Sequence, residues 1–230
     1  MNSAVVDVII PAFNERESVG KVLGDIDKNL VREIIVVDNQ STDDTGINAM
    51  AAGATVLKEP KRGYGSACLK GITYVKSKPI PPDIVVFLDS DYSDHPEEMI
   101  HVIAPIVNND YDMVIGSRAL GNRERGSMTP QQLFGNLLAT RLLKIIYRAR
   151  FTDLGPFRAI KWKSLIALGM QDQTYGWTVE MQVKAAKQKL KCTEVPVSYR
   201  RRIGISKVSG TVKGTVLAGY KIITTIFKYA

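Results

Sequence analysis

The stretch DIVVFLDSDYSDHPEEMIHVIAPIVNNDYDMVIGS, residues 83–117, decides the fold. A continuous apolar run, Ile84–Leu88, ends on Asp89 and Asp91. A helical pattern follows Pro96, and a second apolar run closes at Ser117. Uninterrupted apolar strands belong to sheets covered on both faces, and a helix between two of them marks a parallel crossover. Acids are costly inside a sheet, so their place just past a strand's carboxyl end points to a site.

The same grammar runs back to the first residues. VVDVIIPAF (5–13), EIIVVD (33–38), ATVLKE (54–59), DIVVFLD (83–89) and DMVIGS (112–117) predict strands. ESVGKVLGDIDKNL (17–30), DDTGINAMAAG (43–53), GSACLKGITYVKS (65–77) and PEEMIHVIAPIVNN (96–109) predict helices between them. The order predicts an α/β fold: an open, mostly parallel sheet with helices on both faces. Beyond it, MTPQQLFGNLLATRLLKIIYRAR (128–150) predicts a helix after Pro130, and DLGPFRAIKWKSL (153–165) a strand entered through a turn. WTVEMQVKAAKQKLK (177–191) predicts a helix, CTEVPVSYR (192–200) a late strand, and residues 210–230 an amphipathic helix. A 1–208 domain with halves meeting near 116, followed by the 209–230 helix, is the expected organisation.

Charge divides the 230 residues unevenly. The net charge is +8, yet residues 1–60 hold ten Asp/Glu against five Lys/Arg. Residues 113–170 hold ten Lys/Arg against Glu124 and Asp153, and residues 191–230 hold eight against Glu194. A basic back half calls for an anionic partner: nucleic acid, a phosphorylated ligand or an anionic membrane surface. No helix concentrates basic residues with interleaved aromatics, which argues against nucleic acid. In 128–150, Arg141, Lys144 and Arg148 share one side and Leu138, Leu142, Ile145 and Ile146 another. In the last helix Val212, Val216, Tyr220, Ile223 and Phe227 form a stripe opposite Lys213, Lys221 and Lys228. Each apolar face packs on the core or lies on a membrane.

No segment reaches 18 consecutive apolar residues, so no membrane span is predicted. The opening residues lack a basic n-region and carry Asp7, which is not a signal-peptide pattern. The abrupt end leaves open a piece of a longer membrane protein. Cys68 and Cys192, in no metal-ligand spacing, predict reduced structural thiols and a cytosolic setting. The Asn39-Gln40-Ser41 sequon is a chance match on that reading.

Two carboxylates at i and i+2 suit a hard cation such as Mg²⁺ or Mn²⁺, which binds through one or two acids plus substrate phosphates. The plain alternative is a solvated turn with Asp94 capping the next helix. An EF-hand is excluded, since Asp94 and Ile100 stand where Gly and Glu belong. There is no P-loop, no nucleophile elbow and no HExxH. KRGYGSA (61–67) has Cys68 in place of a third glycine and no strand before it, so it is not a dinucleotide fingerprint. His95 and His101 read as surface helix residues.

VIIPAFNE (8–15), IIVVDNQSTDDT (34–45), RGYGSA (62–67), FLDSD (87–91) and VIGSR (114–118) occur in this order and at these spacings. The ordered set resembles family 2 glycosyltransferases of the GT-A fold. DLGPFRAI (153–160), GWTVEMQVKAAK (176–187) and EVPVSYRRRIGISKVSG (194–210) resemble the branch that includes dolichyl-phosphate mannose and glucose synthases and bacterial polyprenyl-phosphate relatives. The resemblance covers almost the whole chain. It implies inverting, Mg²⁺- or Mn²⁺-dependent transfer of a sugar from a nucleotide diphosphate, at the inner face of the cytoplasmic membrane, to a polyprenyl or dolichyl phosphate.

The resemblance also implies roles. Pro11, Ala12, Glu15 and Asp38 would hold the nucleoside, and Gly63 would let backbone pass close to it. Asp89 and Asp91 would carry the metal. Arg200, Arg201, Arg202 and Lys207 would lie on a loop that closes on the donor phosphates. Arg118, Arg125 and Ser127, with Arg123, would hold the acceptor phosphate, Arg118 foremost. Glu180 is the general base for a hydroxyl acceptor, or an orienting group for an acceptor that is already ionised. Asp153 is a turn acid or a sugar contact, and Trp177 stacks on a sugar or fills the core. Donor base, sugar and oligomeric state stay open.

Overall fold

The computed structural model describes residues 4–204, 206 and 212–230. Among the described residues seven strands form one sheet: β1 (Val6–Ala12), β2 (Glu33–Asp38), β3 (Thr55–Lys58), β4 (Ile84–Phe87), β5 (Met113–Ser117), β6 (Arg158–Lys161) and β7 (Cys192–Pro196). Their spatial order is β3-β2-β1-β4-β6-β5-β7. All pairings are parallel except those of β6, which runs antiparallel to both β4 and β5.

Central β1 is buried along its length and reads as a continuous apolar run because both of its faces are covered. Alternate side chains serve opposite layers. Val8, Ile10, Ile34, Val36, Ile84 and Val86 face α1 (Val19–Asp25), α2 (Thr45–Ala51) and α4 (Met99–Asn109). Ile9, Ile35, Val37, Val85 and Phe87 face α3 (Tyr64–Lys76), α5 (Pro130–Tyr147), α6 (Trp162–Leu168) and α7 (Trp177–Lys187). The exception in β1, Asp7, is fully buried. Arg32 meets it at 2.9 and 2.6 Å, and Lys78 at 2.6 Å.

The α/β reading of the sequence holds, with corrections. Only Arg158–Lys161 of the 153–165 stretch is strand; α6 follows at once. The turn at Pro96–Glu98 is a 3-10 turn, and α4 begins at Met99. The first helix stops at Asp25, well short of Leu30. α5 starts where Pro130 indicated, closed by a capping box: Gln132 N–H donates to Thr129 Oγ1 (3.2 Å), and Thr129 N–H to Gln132 Oε1 (2.7 Å).

The amphipathic faces divide between core and surface. In α5 the core takes Ala139 and Leu143, with Leu142 and Ile146 of the expected face packed against it, whereas Ile145 is 75% exposed. In α8 (Val212–Lys228), the core takes Thr225 and Ile226, and the stripe through Val216, Tyr220 and Phe227 faces outward. α8 packs on α5 and α7, which choose a face one residue round from the most apolar one.

Candidate functional site

The carboxyl ends of β1, β2 and β4 open on a cavity of about 260 Å³. Pro11, Ala12 and Phe13 form one wall, and Asn39, Arg62, Gly63 and Tyr64 another. Asp89, Ser90 and Asp91 lie at its floor, with Tyr175 and Arg202 at its rim. The parallel register explains the convergence: Ala12 pairs with Asp38, and Ile9 with Phe87, so the three strands run out together.

The floor is acidic and tightly arranged. Ser90 Oγ donates to Pro11 O (2.9 Å), fixing the turn between the two acids. Asp91 Oδ1 accepts from Ser93 N–H (2.9 Å) and Ser93 Oγ (2.5 Å). Asp91 Oδ2 faces Arg202 Nη1 at 3.0 Å, and Arg202 Nη2 reaches Glu15 Oε1 at 2.5 Å. Asp89 Oδ1 is sealed from solvent with no hydrogen-bond partner among the described residues, as are both oxygens of buried Asp94. Burial, and then the Asp91 charge, push the Asp89 carboxyl up to about 7. A surplus of carboxylate oxygens, three of them without a partner among the described residues, fits a hard divalent cation. In this structure the only positive charge among the described residues within salt-bridge reach of Asp91 is the Arg202 guanidinium.

Of the nucleoside-side residues, Pro11, Ala12, Glu15 and Gly63 line the cavity. Asp38 stands behind the wall, where its Oδ1 accepts from Ser41 N–H (2.9 Å). Asn39 occupies the wall instead. Its Nδ2 donates to Glu59 O (3.1 Å) and Lys61 O (2.7 Å), and its Oδ1 accepts from Gly63 N–H (2.7 Å). Those bonds pin the glycine loop, where Gly63 takes φ of +143°. Arg62 lies over the Phe13 ring, 3.6 Å from its centroid. The sequence reading passed over Phe13, Asn39 and Arg62 although they sit in its motifs. Tyr175 carried no signal, because only tertiary packing brings it to the rim.

Arg202 enters the cavity, but Arg200 does not. Its guanidinium stacks on Tyr92 at 3.5 Å and donates to Tyr92 O (2.7 Å) and Asp94 O (3.1 Å). Lys207 lies outside the described residues.

On the side expected for the acceptor, Arg118 is buried against Asp153. Nε donates to Oδ2 (2.8 Å), Nη2 to Oδ1 (2.7 Å), and the Arg118 backbone N–H to Oδ2 (2.8 Å). Burial alone would raise the Asp153 pKa, but Arg118's charge and hydrogen bonds outweigh it and hold the carboxyl below the usual range. Arg125 is exposed, and its carbonyl accepts from Arg201 Nε (2.9 Å) and Nη2 (2.6 Å). Ser127 Oγ is sealed and without a partner among the described residues.

Glu180 is fully buried. It accepts from Gln171 N–H (3.1 Å), Asp172 N–H (2.7 Å) and Tyr229 Oη (2.8 Å), and pairs with Lys184 Nζ (2.7 Å). It presents no oxygen to the cavity. Trp177 is core, edge-on to Phe87 with centroids 5.9 Å apart, and does not stack at the site.

Residues 7–169 match the model of glycosyl transferase family 2, and the chain belongs to that family. It is 33% identical, over 95% of its length and 96% of the relative's, to an uncharacterised glycosyltransferase of Mycobacterium bovis. A dolichyl-phosphate hexose transferase of Haloferax volcanii is 28% identical over 91% of this chain and 89% of its own. An undecaprenyl-phosphate mannosyltransferase of Micrococcus luteus is 27% identical over 90% and 88%. Among solved structures, glucosyl-3-phosphoglycerate synthase of Mycobacterium tuberculosis, in complex with Mn²⁺, UDP and phosphoglyceric acid, superposes with a TM-score of 0.77. That match spans 98% of this chain and 78% of the other at 22% identity. The GT-A fold and glycosyl transfer are thereby established.

Proposed function

We propose that this enzyme moves a hexose, with inversion, from a nucleoside diphosphate sugar to a polyprenyl or dolichyl phosphate. The carrying observation is the Asp89/Asp91 floor facing Arg202 inside a cavity walled by three strand ends. The two named lipid-phosphate transferases support the acceptor class. Asp89 and Asp91 would hold Mg²⁺ or Mn²⁺, which supplies Lewis-acid stabilisation of the departing diphosphate.

Each residue then has a task. Asn39 holds the glycine loop so that backbone at Gly63 borders the nucleoside, with Phe13 and Arg62 beside it. Arg202 exchanges its carboxylate partners for the donor phosphates, keeping positive charge where the leaving group develops negative charge. Arg118, oriented by Asp153, and the exposed Arg125 receive the acceptor phosphate, with Ser127 joining them only once its sealed hydroxyl is uncovered; a guanidinium fork suits that group. A phosphate is already ionised at pH 7 and needs no base. This accords with Glu180, whose oxygens are occupied elsewhere; transfer to a saccharide hydroxyl would find no exposed base there.

No helix among the described residues is long and apolar enough to cross a membrane. The outer face of α5 exposes Leu133, Phe134 (67%), Leu137 and Ile145 beside Arg141, Lys144 and Arg148; α8 exposes Val216, Leu217, Tyr220 and Phe227. Apolar side chains interleaved with cations suit an anionic lipid surface, so we place the enzyme peripherally on the inner membrane face.

The test incubates the protein with UDP-glucose or GDP-mannose, Mn²⁺ and short polyprenyl phosphates, with phosphoglyceric acid as a competing acceptor. A lipid-linked sugar is expected. Transfer to phosphoglyceric acid alone would overturn the acceptor, and undiminished turnover by Asp91→Ala the metal assignment.

A further inference from the structure

Residues 171–176, between α6 and α7, separate the cavity from the C-terminal helix. On the cavity side the fit is tight. Ser66 N–H and Oγ both donate to Gln173 O, at 3.0 and 3.2 Å. A Cβ on Gly63 would lie 2.1 Å from that oxygen, and one on Gly65 2.0 Å from Asp172 O. Tyr175, in the same segment, forms part of the cavity rim.

On the other side two acids tie the segment to Lys221 of α8 and to Tyr229 just past its end. Glu180 takes the N–H groups of Gln171 and Asp172 and the hydroxyl of Tyr229. Asp172 Oδ1 takes the N–H groups of Thr174 (2.7 Å) and Gly176 (3.2 Å), and its Oδ2 meets Lys221 Nζ at 3.0 Å. Burial, and then the Glu180 bond, raise the Tyr229 pKa, so the phenol remains a donor at neutral pH. Lys184 already neutralises Glu180 (2.7 Å), so the Tyr229 bond adds geometry rather than charge balance.

We propose that Glu180 and Asp172 are positioning residues for the donor: with Tyr229 and Lys221 they form a strut by which α8 sets the shape of the nucleotide cavity. The outer face of α8 is the apolar one assigned above to the lipid surface, and the strut rests on that reading of the cavity. Seating α8 would therefore tighten donor binding at a distance from the bound nucleotide.

The experiment measures UDP and GDP binding with Mn²⁺ by calorimetry, without acceptor, for wild type, Tyr229→Phe, Lys221→Met and Lys221→Arg, with melting temperatures alongside. Tyr229→Phe and Lys221→Met are expected to weaken binding of the preferred nucleotide roughly fivefold to tenfold, the scale of one ordinary intramolecular hydrogen bond lost. Turnover at saturating donor should stay within about twofold of wild type on the same reasoning, a KM effect without a kcat effect. Lys221→Arg should restore affinity. Variants that melt lower yet bind the nucleotide as wild type does would overturn the strut alone. So would Glu180→Gln losing kcat at unchanged affinity, which is the signature of a base. Wild-type protein that binds neither nucleotide would overturn the strut and the proposed function together.

Discussion

Removing the Asp153 carboxylate should be among the most damaging single changes near the site. The Asp153 side chain is 1% exposed and that of Arg118 11%, and two side-chain hydrogen bonds of 2.8 and 2.7 Å join them. Asp153→Ala strands a buried guanidinium, and breaking a buried pair from one side costs about 3–5 kcal/mol. In a chain of this size each kcal/mol lowers the melting temperature by about 2–4 °C, so a drop of about 6–20 °C follows. Arg118→Met should cost a similar amount by stranding Asp153. The double variant should recover most of the loss, because two apolar side chains fill the space without an unpaired charge. Calorimetric melting of the three variants gives the cycle. The sign with pH is fixed too. A carboxyl held below its unfolded value stabilises the fold above about pH 4 and loses that contribution as pH falls through the folded value. Wild type should therefore be more acid-sensitive below about pH 4 than the double variant. Strictly additive losses, or a drop under about 2 °C for Asp153→Ala, would refute the buried-pair argument.

Manganese binding should strengthen as pH rises through about 7, since Asp89 must lose its proton to become a ligand; isothermal titrations at pH 6 and pH 8 that agree would refute this. Both thiols should resist an aromatic disulfide reagent at pH 8 until the protein is denatured, because burial raises Cys68 far above its usual value and Cys192 to about 12. Rapid native labelling would contradict it. Gly65→Ala should abolish nucleotide binding and lower the melting temperature, as its Cβ would overlap Asp172 O at 2.0 Å; a variant that binds normally would show that residues 171–176 yield.

The first five strands were legible because each is a short apolar run with its own turn signals. A parallel sheet also repeats one local pattern that needs no knowledge of partners. The acids at the strand ends were legible for the same reason: polarity at the end of a buried run stands out. The insertion of β6 between β4 and β5 was not, since strand order is decided by pairings between residues some 70 positions apart, such as Phe87 with Arg158. The engagement of Glu180 was hidden too. Its partners at Gln171, Tyr229 and Lys184 include one helix turn and two distant segments, and only the turn is visible in sequence. The outward stripe of α8 shows that periodicity identifies an apolar face but not what covers it.

The reversed strand has a consequence for how such an enzyme can change its acceptor. Parallel strands offer the cleft the loops that leave them: those after β1, β2 and β4 line the cavity, and the one after β5 carries Arg118. Because β6 points the other way, it offers the loop that enters it, and that loop brings Asp153 against the Arg118 guanidinium from the opposite direction. If Arg118 receives the acceptor as proposed, selection can retune that group through the approach to β6 while the turns after β1, β2 and β4 are left untouched.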